Sequence, residues 1–269
     1  IHMGFSIFHA YAAHDKKYSP LDKDSAGLVS SEGAGMILLK RLSDAEKDGD
    51  NIIGVISGIG LSNDGAGKFL LSPNPKGQTL AYERAYNGTI CKENTSYIEC
   101  HATGTPLGDV TEINSLETFF GDNPDKLRLG SVKSNMGHML TAAGIPSLMK
   151  VLLSMEHNII PPGINMSTAI QSENGWFKRE QIIEEPLKWE TSYKQAAVNS
   201  FGFGGTNAHL VVENHHTEKT KKHTDVTLKK MAITSMEVHF GNCDNLDTFY
   251  QSIFDGKQHF SNIPLSRWK

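Results

Sequence analysis

The chain has 269 residues, of which 38% are hydrophobic and 21% charged, and its formal net charge at pH 7 is -4. This ordinary globular composition lacks the basic surface typical of nucleic-acid binding or of attachment to an anionic membrane. No apolar run is long enough to span a bilayer, and three cysteines without a CxxC pair predict neither a disulfide framework nor a zinc site. We expect a cytoplasmic protein.

The first part of the chain predicts two strands and two helices. Residues 32–42, EGAGMILLKRL, predict a buried strand, and residues 43–50 predict a short acidic helix that ends at a glycine. A β-branched strand interrupted by glycines follows at residues 51–64. Helical spacing with a glycine at the end predicts a helix over residues 78–88.

The alternation continues further along the chain. The predicted elements are a strand at 95–100, a helix at 109–120, a strand at 127–132, a long helix after His138, and a strand, glycine loop and strand at 195–214. Strands that alternate with helices predict an α/β sheet packed between helices.

A change of composition suggests three parts. Residues 215–230 are polar and charge-rich, which predicts a linker whose histidines and lysines are solvated rather than metal ligands. Residues 231–269 return to a strand-then-helix pattern. We therefore expect a main domain at 1–214, a linker at 215–230 and the start of a second domain at 231–269, with the chain cut within a domain at both ends.

Three loops at predicted strand ends carry candidate catalytic groups: HATGTPLGD (101–109), KSNMGH (133–138) and SFGFGGTNAH (200–209). Sites of α/β proteins lie at such strand ends. We expect His138 to open a helix, whose N-terminus would keep the imidazole neutral and able to donate to a developing oxyanion.

Each loop also has a simpler interpretation. His101 could be a hydrogen-bonded structural histidine, and Lys133 could be a surface charge. The sequence GFGGTN lacks the Lys-Ser/Thr pair of a phosphate-binding P-loop and precedes a strand, so a nucleotide site is not expected.

In this order, HATGTPLGD, GSVKSNMGH with the following AAG, IPP, and NSFGFGGTNAHLVVE resemble the C-terminal half of a β-ketoacyl synthase. The resemblance covers about Phe5 to Asn214 and is greatest to polyunsaturated-fatty-acid and heterocyst-glycolipid synthases. Residues 231–269 resemble the strand and helix that begin a ketosynthase domain, here one similar to a chain-length factor.

The resemblance implies an α/β, thiolase-like fold built on a mixed five-stranded sheet. Only the second of two repeated halves would be present, with an exposed apolar face. It also implies decarboxylative Claisen condensation between an acyl thioester and malonyl-acyl carrier protein, within fatty-acid or polyketide biosynthesis. The domain itself would bind no metal or cofactor, since its substrate is carried on the phosphopantetheine arm of the acyl carrier protein.

The resemblance assigns roles to the residues of the three loops. His101 and His138 would polarise the malonyl thioester carbonyl and stabilise the enolate. Lys133 would orient the site, with Glu112 as its carboxylate partner.

Four further residues would bind the substrate. Thr103 and Thr105 would hydrogen-bond the phosphopantetheine amides, Phe203 would gate the pocket, and Asn207 would brace the glycine loop. The expected partners are an acyl carrier protein, the remaining synthase domains, and a second copy or a chain-length factor.

The chain departs from the family in one respect, the catalytic cysteine nucleophile. The family's cysteine lies in a motif that would precede Phe5. Cys100 adjoins His101 in a predicted strand, where neighbouring side chains point to opposite faces, and Cys91 and Cys243 are interpreted as incidental. We therefore expect no condensation by this chain alone.

Two other functions compete with that of a ketosynthase. The first is a non-catalytic binding or dimerisation module similar to a chain-length factor, although such a module has no chemical need to keep His101, His138 and Lys133. The second is a thiolase-like enzyme acting on coenzyme A esters. The thiolase alternative is weaker, because such enzymes usually have a cysteine in the glycine loop where this chain has Phe203.

Overall fold

The computed structural model describes residues 2–13, 15–65, 72–88, 90–122, 126–215 and 231–260. The helices are α1 (His2–Ile7), α2 (Leu42–Asp48), α3 (Pro75–Ala85), α4 (Pro106–Phe120), α5 (Lys133–Met136), α6 (Gly144–His157) and α7 (Leu246–Phe254). The strands are β1 (Gly33–Arg41), β2 (Gly54–Asn63), β3 (Thr95–Glu99), β4 (Arg128–Gly130), β5 (Ile159–Ile160), β6 (Leu187–Lys188), β7 (Gln195–Phe201), β8 (Thr206–Glu213) and β9 (Met231–Phe240). Within these ranges, no helix is long and apolar enough to cross a bilayer.

Seven strands form one mixed sheet in the order β1-β9-β2-β8-β7-β3-β4. Strands β7, β3 and β4 are parallel to one another, and the remaining neighbours are antiparallel. The expectation of five strands was too low, because β1 and β9 extend the sheet beyond β2. The short strands β5 and β6 pair separately.

Helices cover both faces of this sheet. Along β7, Ala196 and Val198 pack into one apolar cluster with α6 and α7, whereas Ala197 between them packs into a second cluster with α4. Alternate residues of a strand point to opposite faces, so the two clusters lie on the two sides of the sheet. This is the predicted α/β arrangement of a sheet between helices.

The predicted elements are found, but three helices begin elsewhere. Helix α3 begins at Pro75, where the Asn74 side chain accepts a hydrogen bond from the Lys76 amide and caps the helix. Proline also opens α4, at Pro106. Helix α6 begins only at Gly144, six residues beyond His138. Side-chain capping and proline geometry therefore set the starts of α3 and α4 away from the positions that periodicity predicts.

The strand-then-helix pattern predicted for residues 231–269 is confirmed within the described residues as β9 and α7. Strand β9 lies between β1 and β2 and is antiparallel to both, and α7 contacts α6. The predicted linker at 215–230 lies outside the described residues except for its first residue, so the division of the chain into domains stays a prediction.

Strand β1 is less buried than its sequence suggested. Its outer face exposes Met36 by 74% and Leu38 by 60%, next to the exposed Glu237 and Ser235 of β9. The expectation of a buried strand was therefore wrong for this face, since no described element covers it. Large apolar side chains so exposed are typical of a surface that binds a partner.

We expect the purified chain to associate through this outer face of β1. Replacing Met36 and Leu38 together with lysine should shift the mass measured by light scattering towards the monomer, because the charged side chains oppose burial. The matched control replaces Leu80 and Leu187, two leucines exposed elsewhere, with lysine. This double variant should have the same mass by light scattering as the unmodified chain. A monodisperse monomer of the unmodified chain would contradict this expectation.

Gly60 allows α3 to lie directly on β2. A Cβ atom built at Gly60 would lie 1.8 Å from the carbonyl oxygen of Ala81 and 2.7 Å from the amide nitrogen of Ala85. We predict that Gly60→Ala lowers the free energy of unfolding by about 1–3 kcal/mol, because the helix backbone must move away from the strand. Urea denaturation checks this value. Gly144→Ala is the control, since its Cβ would meet its nearest neighbour at 3.6 Å and should cost far less.

Candidate active site

His101 lies just after β3, and a carboxylate of α4 fixes the backbone at this point. The amide of His101 donates to Oε1 of Glu112 at 2.8 Å, and the amide of Ala102 donates to Oε2 at 2.7 Å. A buried carboxylate that accepts two successive backbone amides fixes the direction in which the chain leaves the strand. Glu112 therefore positions the loop that carries His101.

One turn before Glu112, Asp109 shapes the rest of the same loop. Its carboxylate accepts the amides of Thr103 and Gly104, and also the amide of Leu21. Gly104 has a φ of 83°, in the left-handed region that favours glycine. In the folded loop the hydroxyls of Thr103 and Thr105 lie 2.9 Å apart and share a hydrogen bond.

The second loop places Lys133 and His138 on the far side of the site. The carbonyl oxygen of Lys133 accepts from the Tyr18 hydroxyl at 2.8 Å, and the His138 amide donates to the carbonyl oxygen of Val29 at 2.7 Å. Gly137 between them has a φ of 75°, and a Cβ there would meet Val29 and Ser31 at about 3 Å. Glycine thus permits the tight turn that delivers His138.

The two histidine rings meet edge to face, with centroids 5.3 Å apart. Nδ1 of His138 accepts a hydrogen bond from the amide of Leu140 at 3.1 Å, so in the neutral ring the proton is on Nε2. The imidazole at this position is therefore a hydrogen-bond donor through Nε2.

Burial keeps both histidines neutral. Desolvation and, as the smaller cause, the nearby Lys133 charge lower the pKa of His138 to about 3. The pKa of His101 falls well below its ordinary value for the same reasons, with a contribution from His138. The expectation that a helix N-terminus keeps His138 neutral was wrong, because α6 begins six residues later.

Two buried carboxyls lie beneath the histidines. Burial raises the pKa of Asp109 to about 7, against the lowering effect of the three amides that it accepts. Burial also raises the pKa of Glu112, while hydrogen bonds from Asn199 and the loop amides, and the Lys133 charge, oppose the rise.

Lys133 is 1% exposed, which excludes the alternative of a surface charge. Burial lowers its pKa, and the neighbouring carboxylates raise it, Glu99 more than Glu112. The proposed partner Glu112 therefore acts alongside Glu99, which the sequence reasoning did not identify. The signal was present, since Glu99 is the one charged residue of β3 and lies two residues before His101.

The third loop, between β7 and β8, carries Phe203, and Asn207 is the second residue of β8. Phe203 is 53% exposed and stacks on Phe5 of α1, with ring centroids 4.8 Å apart. The Asn207 side chain is buried and donates to Oδ1 of Asp64 at 2.7 Å, while the Asp64 amide donates to the carbonyl oxygen of Gly205. Asp64 thus joins Asn207 in supporting the loop.

These loops surround one cavity of about 760 Å³. Seven of the eight predicted site residues line it: His101, His138, Thr103, Thr105, Glu112, Phe203 and Asn207. Lys133 is buried behind the histidines and does not line it.

None of the three cysteines lines this cavity. Cys100 is fully buried among apolar side chains, and burial raises the pKa of its thiol well above the ordinary value. Cys91 is exposed, and Cys243 is buried beyond the cavity. A buried thiol of raised pKa is a poor nucleophile.

Residues 53–167 match the family Beta-ketoacyl synthase, C-terminal domain, and residues 177–253 match the Ketoacyl-synthetase C-terminal extension. The chain belongs to the β-ketoacyl synthase family.

Relatives and solved structures agree with this family. The chain is 37% identical to a polyunsaturated fatty acid synthase of Thraustochytrium, over 99% of the chain and 14% of the relative. It is 41% identical to Polyketide synthase PksL of Bacillus subtilis, over 78% of the chain and 5% of the relative. The solved structure of the PfaC keto synthase-chain length factor superposes with a TM-score of 0.77 at 44% identity, covering 99% of the chain and 29% of that structure.

The comparisons establish the fold and the family. The α/β fold is the thiolase-like fold of ketosynthases. The relatives are acyl-transferring enzymes of polyketide and polyunsaturated-fatty-acid synthesis. The chain spans less than a third of the first relative and of the solved structure.

Proposed function

We propose that this chain supplies the decarboxylation half of a ketosynthase site, which condenses an acyl thioester with a malonyl thioester. The observation that carries the proposal is the pair of neutral imidazoles, one buried (His138) and one half-buried (His101), that meet at one wall of the cavity. A neutral imidazole keeps one N–H group, which can donate a hydrogen bond to a developing oxyanion.

The first chemical step breaks the bond between the malonyl carboxylate and the α-carbon. Carbon dioxide leaves, and the electron pair of that bond moves into the thioester carbonyl to give an enolate. His138 donates a hydrogen bond from Nε2 to the enolate oxygen, and the His101 imidazole donates a hydrogen bond to the same oxygen from the adjacent loop. The buried Lys133 charge stabilises the negative charge, with Glu99 and Glu112 as its counter-charges.

The second step forms the new carbon–carbon bond. The α-carbon of the enolate attacks the carbonyl carbon of an acyl group held as a thioester on cysteine, and the cysteine thiolate leaves as the β-ketoacyl thioester forms. That cysteine belongs to the ketosynthase half that we propose precedes this chain. Neither step uses a metal or a cofactor bound by the domain.

In this proposal the cavity also receives the arm that carries the malonyl group. Thr103 and Thr105 would hydrogen-bond the phosphopantetheine amides, since both threonines line the cavity. Phe203 would gate the entrance with Phe5, and Asn207 would brace the loop that carries this gate.

The partners in this proposal are an acyl carrier protein, the other synthase domains, and a second ketosynthase or a chain-length factor. The cytoplasmic location stays a prediction.

Product formation tests the proposal. The chain is joined to the cysteine-bearing ketosynthase half and supplied with an acyl thioester and malonyl-acyl carrier protein. We expect a β-ketoacyl product from this assembly and none from its Lys133→Ala variant. An assembly that folds and binds the carrier protein but forms no product would instead favour the module similar to a chain-length factor.

A further inference from the structure

Two buried polar side chains lie behind Glu112 and take no direct part in the proposed chemistry. Asn199 of β7 and His209 of β8 face each other across the sheet and are at most 1% exposed. Nδ1 of His209 lies 2.5 Å from Oδ1 of Asn199, and Nδ2 of Asn199 donates to Oε1 of Glu112 at 2.7 Å. The three side chains form a continuous line of hydrogen bonds that ends beneath His101.

The geometry of the three groups fits one direction of hydrogen bonding when Glu112 is ionised. A carboxylate only accepts, so the Asn199 amide then turns its nitrogen to Glu112 and its oxygen to His209. His209 must then carry its proton on Nδ1. Burial lowers the pKa of His209 to about 3, which leaves a single ring proton at neutral pH. Nε2 of His209 has no hydrogen-bond partner in the described part of the chain.

We propose that Asn199 and His209 are positioning residues that hold Glu112 in its ionised form beneath His101. The inference rests on the proposed function for its catalytic consequence, though not for its structural basis. The His209 proton keeps the Asn199 amide from rotating its oxygen towards the Glu112 carboxylate. Glu112 in turn fixes the backbone of the His101 loop and supplies a counter-charge for Lys133.

Other charged or titratable groups also face Glu112. Asp109 lies one turn away on α4, Lys133 on α5, Tyr82 on α3 and Cys100 at the end of β3. Of these groups, only Lys133 favours the Glu112 carboxylate, while ionised Asp109 opposes it. Burial raises the Glu112 pKa, and the Asn199 hydrogen bond opposes that rise by favouring the carboxylate form.

The test compares two replacements of His209 in the assembly described above. His209→Leu removes the donor to Asn199, whereas His209→Asn keeps an amide donor near the place of Nδ1. We expect the acidic limb of the rate of carbon dioxide release to move to higher pH by about one unit in His209→Leu, and to return in His209→Asn. Ser57→Ala, which removes a buried hydroxyl of the same sheet outside this line, should leave the limb in place.

Infrared titration of this chain and its variants, without the cysteine-bearing half, separates this inference from the proposed function. The protonated carboxyl band of Glu112, identified by its loss in Glu112→Gln or by its shift in Asn199→Ala, should appear at higher pH in His209→Leu than in wild type. If wild type releases no carbon dioxide, the proposed function fails and the infrared result still decides the inference. Equal titration of Glu112 in wild type and His209→Leu, or equal behaviour of the Leu and Asn variants, would overturn it.

Discussion

Lys150→Met is expected to lower the free energy of unfolding by about 3–5 kcal/mol, the cost of removing one partner from a buried ion pair. Nζ of Lys150 lies 2.9 Å from Oε2 of Glu99, and neither side chain is more than 1% exposed. Glu99 also accepts hydrogen bonds from the Tyr97 hydroxyl and the Val132 amide. Methionine fills the space of the lysine stem but leaves the Glu99 carboxylate without its adjacent cation.

Urea denaturation followed by circular dichroism measures this loss. Lys188→Met is the matched control, because Lys188 and Glu190 form an exposed pair at 3.8 Å whose removal should cost almost nothing. Adding Glu99→Gln to Lys150→Met should recover part of the stability, since the remaining amide oxygen can still accept a hydrogen bond but the buried Lys133 loses one of its counter-charges. A change below about 1 kcal/mol in Lys150→Met would show that the ion pair does not hold the core beneath the site.

The second large effect is a loss of stability in acid, caused by the buried histidines. The pKa of His209 is about 3 in the folded protein and about 6.5 in the unfolded chain. Below about pH 6.5 the unfolded chain therefore binds a proton that the folded protein excludes, and stability falls as the pH falls. For His209 alone, the loss between about pH 6 and pH 4 is about 2–3 kcal/mol.

The same reasoning applies to His101 and His138, while two carboxyls act in the opposite direction. Asp109 has a folded pKa of about 7, so between about pH 4 and pH 7 the folded protein holds a proton that the unfolded chain has lost. Glu112, whose pKa is also raised, adds to this opposing effect. Three histidines against two carboxyls leave a net loss of stability on acidification.

Denaturation of wild type and His209→Leu across pH 4–6 isolates the contribution of one histidine. The slope of unfolding free energy against pH should be smaller in the variant by about 1.4 kcal/mol per pH unit. Ser57→Ala, which removes a buried hydroxyl and no titratable group, provides the control and should leave the slope close to that of wild type. Identical slopes in wild type and His209→Leu would mean that His209 is protonated in the folded protein.

Local patterns predict much of the fold. The strand that ends at Glu99 and the glycine that ends α2 follow directly from periodicity and from glycine geometry. The exposure of Met36 was not predictable in this way, because it depends on what packs against β1. The insertion of β9 between β1 and β2 is likewise a long-range pairing that local propensity does not encode.

The residues of the site also fall into those that the sequence predicts and those that it does not. His101 and His138 stand out in sequence because they lie in glycine-containing loops after strands. Asn199 and His209 do not stand out, since their importance comes from contact with Glu112, which is 87 residues from Asn199. The cause of the low pKa of His138 was also not predictable from the sequence, because burial is set by the whole fold rather than by the adjacent helix.

Release of carbon dioxide from a malonyl thioester, measured without an acyl acceptor, tests the central claim most directly. The assembly of this chain with the cysteine-bearing half is compared with its His101→Ala and His138→Ala variants, each first shown by circular dichroism to be folded. We predict that wild type releases carbon dioxide and that each variant is slower by at least about 10²–10³-fold, the loss that accompanies removal of an oxyanion donor. Wild-type rates in both variants would contradict the assignment of the two histidines.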